Sequence, residues 1–199
     1  MQERRQLSPA LRQKTMLVRK RYGTREQFLA TMNPSVQELA ARHPDRAILC
    51  DAPSLVVINC TYGDNTATIW LIPQLVDLVA FTNSRQLLTD QQVTAVAWMI
   101  VQEYGYLKCS ELMLFFYRFK LGRYGHFYGS VDPMLITTAI RRFLGERAEV
   151  LHRHEIEQER EQREQYAHQA ITLAEYCRRN GLPEMSLQQL ILHNANDKR

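Results

Sequence analysis

No stretch of about 18 uninterrupted apolar residues occurs in the chain, and that is the length a membrane-crossing helix needs. The nearest approach, Thr66 to Phe81, is interrupted by Pro73, Gln74 and Asp77. The N-terminus is arginine-rich and lacks an apolar core, so neither a membrane span nor a signal peptide is expected. Cysteine is sparse: Cys50, Cys60, Cys109 and Cys177 stand far apart without a CxxC pair. They read as reduced, mostly buried thiols of a cytoplasmic protein. Internal repeats and low-complexity tracts are missing too, which leaves no candidate linker.

Complete catalytic signatures are equally absent. The glycine-rich stretch Gly122 to Asp132 is neither GxxxxGK[ST] nor GxGxxG, and Asp132 would set a negative charge where a phosphate should sit. His154-Glu155 begins like HExxH but meets Gln158. His152 and His154 are two apart and leave a helix on different sides. Glu149 and His152 have the spacing of di-iron bundles, yet the only other pair, Glu164 and His168, does not. Ser130 and Cys109 are possible nucleophiles for which no base can be assigned. The expectation is a protein that is not an enzyme and has neither metal nor cofactor.

What the chain does have is an ordinary apolar share of 45%, enough for one sizeable core. Charge is unevenly placed. Met1 to Arg25 holds eight basic residues, among them Arg12, Lys14, Arg19, Lys20 and Arg21, against Glu3 alone. His43 to Gly105 holds six acids against Arg46 and Arg85. The basic arm could meet nucleic acid, or it could lie on its own acidic domain.

Punctuation predicts helices throughout. Ser8-Pro9, Asn33-Pro34 and Asp132-Pro133 are caps followed by proline, and Thr24/Gln27 and Thr89/Gln92 are capping boxes. Val93, Val96, Ala97, Ile100, Val101 and Tyr104 form one apolar stripe. Ser110 is expected to cap the next helix, which is apolar almost all round and belongs at the centre of a bundle. Leu55 to Ile72 is ambiguous, since Val56, Val57 and Ile58 with Gly63-Asp64-Asn65 could form a hairpin. Helical spacing from Ile69 to Phe81 favours two helices instead. A helix from Pro133 to Arg179 would run roughly 70 Å, so its second apolar patch should meet a partner or fold back. A last short helix is expected over Ser186 to His193.

The fold class is therefore all-α: an irregular helical bundle with one long C-terminal helix, and a possible short hairpin near 55–72. Residues 1–151 form a helical core domain with a basic N-terminal arm, and 152–199 a polar extended helix with a short C-terminal one. The latter, over 152–179, could pair with a protein partner or a second copy.

The densest motif is Phe115 to Pro133, FFYRFKLGRYGHFYGSVDP. Arg118, Lys120, Arg123 and His126 interleave with Tyr124, Phe127 and Tyr128. Cations can neutralise phosphates while rings stack on exposed bases; alternatively the rings pack the loop onto the core and the cations solvate its rim. The segment FxRFKxGxYGxFYGSVDP, with the WL..QL..L pattern at Trp70, Leu71, Gln74, Leu75 and Leu78, resembles a family of small proteins from bacteria, their phages and mobile elements. The resemblance covers about Leu55 to Arg147. It implies a context of DNA replication or mobile-element maintenance and no particular activity. The expected function is a nucleic-acid-associated accessory protein, with an interaction module acting through the long helix as the alternative.

Overall fold

The computed structural model describes residues 8–82, 88–125, 133–169, 172–183 and 186–189. Its helices are α1 (Pro9–Tyr22), α2 (Arg25–Thr31), α3 (Gln37–Arg42), α4 (Pro44–Leu49), α5 (Leu55–Tyr62), α6 (Thr66–Thr82), α7 (Asp90–Glu103), α8 (Cys109–Lys120), α9 (Pro133–Gln169) and α10 (Leu173–Arg179), with a 3-10 turn at Pro34–Val36. The protein is all-α, and among the described residues there is no strand beyond an isolated bridge between Ser54 and Lys108.

The caps work as their residue types dictate. Ser8 accepts from the Leu11 N–H ahead of Pro9. Thr24 and Gln27 close a reciprocal box, as do Thr89 and Gln92. The hairpin alternative at 55–72 is corrected: Ser54 Oγ accepts from the Val57 N–H and opens α5. Gly63 (φ 103°) and Asn65 (φ 67°) then turn the chain into α6. Burial of Leu55, Val57 and Ile58 overrides the strand preference of the β-branched residues. α6 continues past Pro73, which stands on an exposed position.

Two further boundaries depart from expectation. Ser110 is not the cap of α8; the helix starts at Cys109, and the Glu111 carboxylate accepts the Lys108 N–H at 2.8 Å. The Ser110 hydroxyl instead donates to the Ala47 carbonyl at 2.7 Å, tying α8 to α4. α3 ends at His43 as its punctuation indicates, and Pro44, pre-shaped for a first helical turn, opens α4 there. The long helix does not reach Arg179: Thr172 accepts from the Glu175 N–H and starts α10 afresh. The cap expected at Asp132 and the second half of Ser186 to His193 lie outside the described residues.

The chain divides into two compact units, Met1–Leu151 and His152–Arg199. At the centre of the first is α8, with Leu112, Met113, Leu114, Phe115, Phe116 and Phe119 all buried. Helices α3, α4 and α6 pack on it, α7 packs on α6, and α1 lies on α5. Ile136, Ala139, Ile140 and Phe143 of α9 complete the core, Phe143 meeting Phe115 edge-on at 5.7 Å. A polar knot is buried here as well. The Trp70 indole donates to the Met32 carbonyl at 2.6 Å, Gln74 donates to the same oxygen, and Gln37 donates to Gln74. The second unit shows an exposed polar helix with ion pairs Glu157–Arg160 and Glu159–Arg163, and a buried Cys177 on α10.

Candidate anion-binding surface

The aromatic motif is turned inward where the structure describes it. Gly122, at φ 73°, ends α8 in the left-handed region that glycine enters without strain. The chain then brings Tyr124 back over the core, only 5% exposed and stacked on Phe115 at 5.6 Å. Its hydroxyl donates to Glu146, at 3.3 Å, and its carbonyl accepts from Arg142. Burial first, and the Glu146 charge second, push the phenol well above its ordinary value.

Glu146 of α9 collects the cations of this region. Arg118 donates to one of its oxygens at 2.6 Å and Arg123 to the other at 2.9 Å. Lys120 pairs with Asp77 of α6 and sits over the Phe81 ring. The Arg118 and Lys120 side chains are only 12% and 16% exposed, whereas Arg123 is 54% exposed. Arg118 and Lys120 thus spend their charge on joining α8 to α9 and α6. A nucleic acid would have to break buried pairs to reach them, and Tyr124 offers no face for stacking. His126 and Tyr128 lie outside the described residues.

The cations of α1 are placed otherwise. Leu11, Thr15, Val18 and Tyr22 recur at helical spacing and turn toward α5. Arg19 donates twice to the Thr61 carbonyl, at 2.7 and 3.3 Å, capping the last turn of α5. Arg21 donates to the Asp51 carbonyl at 3.3 Å and lies over the Tyr22 ring. Within the described residues the basic arm, as α1, therefore lies on its own domain, and it is held there through backbone carbonyls. Arg12, Lys14 and Lys20 are exposed, their side chains without hydrogen bond or ion pair among the described residues.

Two charged groups went unnoticed in the sequence. Glu111 is wholly buried, accepting from Lys108 N–H and, at 2.8 Å, from Arg147 of α9. Lys108 sends its amine to the carbonyls of Ile48 and Cys50, both at 2.8 Å, at the end of α4. The spacing of Lys108 and Glu111 at the start of an apolar run was the available signal for the first; none existed for the second. Burial raises the Cys109 thiol to about 12, which disarms it as a nucleophile. Ser130 lies outside the described residues. No cluster of three or more His, Cys, Asp or Glu that could hold a metal ion occurs among the described residues, nor is any helix there long and apolar enough to cross a membrane.

These features define an all-α helical protein with a cation-bearing first helix and an aromatic motif whose described cations pair with Glu146 and Asp77. Residues 88–186 match a family of unknown function (DUF6633), a span that holds Glu111, the Glu146 cluster and α10 and leaves out α1. No curated protein and no solved structure matches the chain.

Proposed function

We propose that the protein is a non-enzymatic, nucleic-acid-associated accessory protein of phage or mobile-element type, and that it meets the phosphate backbone with the exposed cations of α1. The contrast between two sets of cations carries this reading. Arg118 and Lys120 are paired with carboxylates and largely buried, whereas Arg12, Lys14 and Lys20 are exposed and have no such partner among the described residues. Unpaired cations on one helix can replace the counterions condensed on a nucleic acid. Arg123, half free of its carboxylate's shelter, is a secondary contact. The replication context comes from the resemblance of the aromatic motif and is part of the proposal.

Fluorescence anisotropy of labelled single-stranded and duplex DNA over a series of salt concentrations tests it. Replacing Arg12, Lys14 and Lys20 together by alanine should weaken binding and lower the slope of log K against log salt by about 2 to 3. A variant with Arg118 and Lys120 changed to methionine should keep the wild-type slope if it remains folded. Unaltered affinity in the α1 variant would overturn the proposal.

A further inference from the structure

A groove of about 670 Å³ runs between α1, the turn 51–54 and the segment 104–108. Its floor is apolar: Val18, Pro53 and Val57 are buried there, and Ala52, Leu17 and Tyr106 continue it outward. Its rim is cationic, with Lys14, Lys20 and Arg21 on the α1 side and Lys108 opposite. Asp51 is the one carboxylate among the lining residues. Both walls are braced. Lys108 is held by the Ile48 and Cys50 carbonyls, and the Tyr106 ring lies against the Arg147 guanidinium, 5.7 Å from its centroid.

We infer that this groove is a binding site for one small organic anion with an apolar body, an aliphatic or aromatic carboxylate, sulfonate or phosphate. The volume lies within the range of sites for small molecules, about 300 to 1,000 Å³. Four cations against one carboxylate select an anionic head and disfavour a cationic one. The apolar floor rewards a hydrocarbon or ring body over a free inorganic anion. The inference goes beyond nucleic-acid binding and does not depend on it.

The probe is 1-anilinonaphthalene-8-sulfonate, titrated into the full chain by fluorescence, beside its uncharged relative N-phenyl-1-naphthylamine. Saturable binding of the sulfonate at one site, displaced by decanoate, is expected. Changing Lys14→Ala and Lys20→Ala together should lower sulfonate affinity about fivefold to tenfold and leave the uncharged dye unaffected. Ala52→Trp, filling the floor, should abolish binding of both dyes while the urea midpoint shows the chain folded. Equal affinity of the lysine variant for the sulfonate, an equal loss for the uncharged dye, or full binding by a folded Ala52→Trp variant would overturn the inference. DNA binding can fail while these results stand, so the two readings are separable.

Discussion

The buried pair between Glu111 and Arg147 should be more sensitive from one side than from the other. Glu111 has no exposed surface, while the Arg147 side chain retains 22%. Removing the arginine leaves a carboxylate in the core with the Lys108 N–H as its remaining partner. Breaking a buried pair in that manner costs about 3 to 5 kcal/mol, and the partial exposure of Arg147 argues for the lower end. Removing the charge of the glutamate is milder, because the guanidinium can turn toward water and toward the Tyr106 ring it already covers. A neutral amide can still accept the Lys108 N–H, so Glu111→Gln should cost about 1 to 2 kcal/mol.

Arg147→Met should therefore destabilise by at least about 1 kcal/mol more than Glu111→Gln, and Glu111→Met with Arg147→Met should cost less than the sum of its two single changes. Urea unfolding followed by tryptophan fluorescence reads this in the right unit, since Trp70 is 1% exposed within the core that α8 joins. Additive single changes, or a larger loss for Glu111→Gln, would refute the assignment of this pair as a buried tie between α8 and α9.

Gly105→Ala should lose about 1 to 3 kcal/mol in the same urea assay, because a Cβ there would stand 2.9 Å from both the Val101 carbonyl oxygen and Val56 Cγ2; Val56→Ala in the same chain should recover part of the loss, and a neutral Gly105→Ala would show the segment free to shift. Alkaline pH should destabilise the fold through its tyrosines. Burial raises Tyr22 from 10.0 to about 12 and Tyr124 further, so the folded state holds those protons more tightly than the unfolded one. Their contribution is fully present below pH 10 and lost as pH climbs from there toward the folded values. Urea midpoints between pH 8 and about 12 should fall less steeply in Tyr22→Phe and Tyr124→Phe, and parallel slopes in all three proteins would count against the mechanism.

Helix positions were legible because capping chemistry is local. Ser8-Pro9, Thr24/Gln27 and Thr89/Gln92 each complete their bonds within three residues, so four letters of sequence contain the interaction. Ser110 shows where that ends: its hydroxyl has the choice of the helix start or the Ala47 carbonyl, and the choice is made by where α4 lies. The aromatic motif fails to read as a surface for the same reason. Arg118, Lys120 and Arg123 look like free cations beside rings until α9 and α6 bring up Glu146 and Asp77, 28, 43 and 23 residues away respectively.

The same consideration decides which cations can serve a ligand. A charge already paired inside the protein must be released before it can pair elsewhere, and release from a largely buried site forfeits more than an exposed contact returns. Residues 118–120 lose that comparison and Arg12, Lys14 and Lys20 avoid it. Arg19 and Arg21 fall between, because a carbonyl satisfies part of a guanidinium's donors without cancelling its charge. They can hold α1 against α5 and the 51–54 turn and still contribute to its positive field. Helix α1 is thus a fixed cationic edge, and a ligand meeting it does not have to order it first.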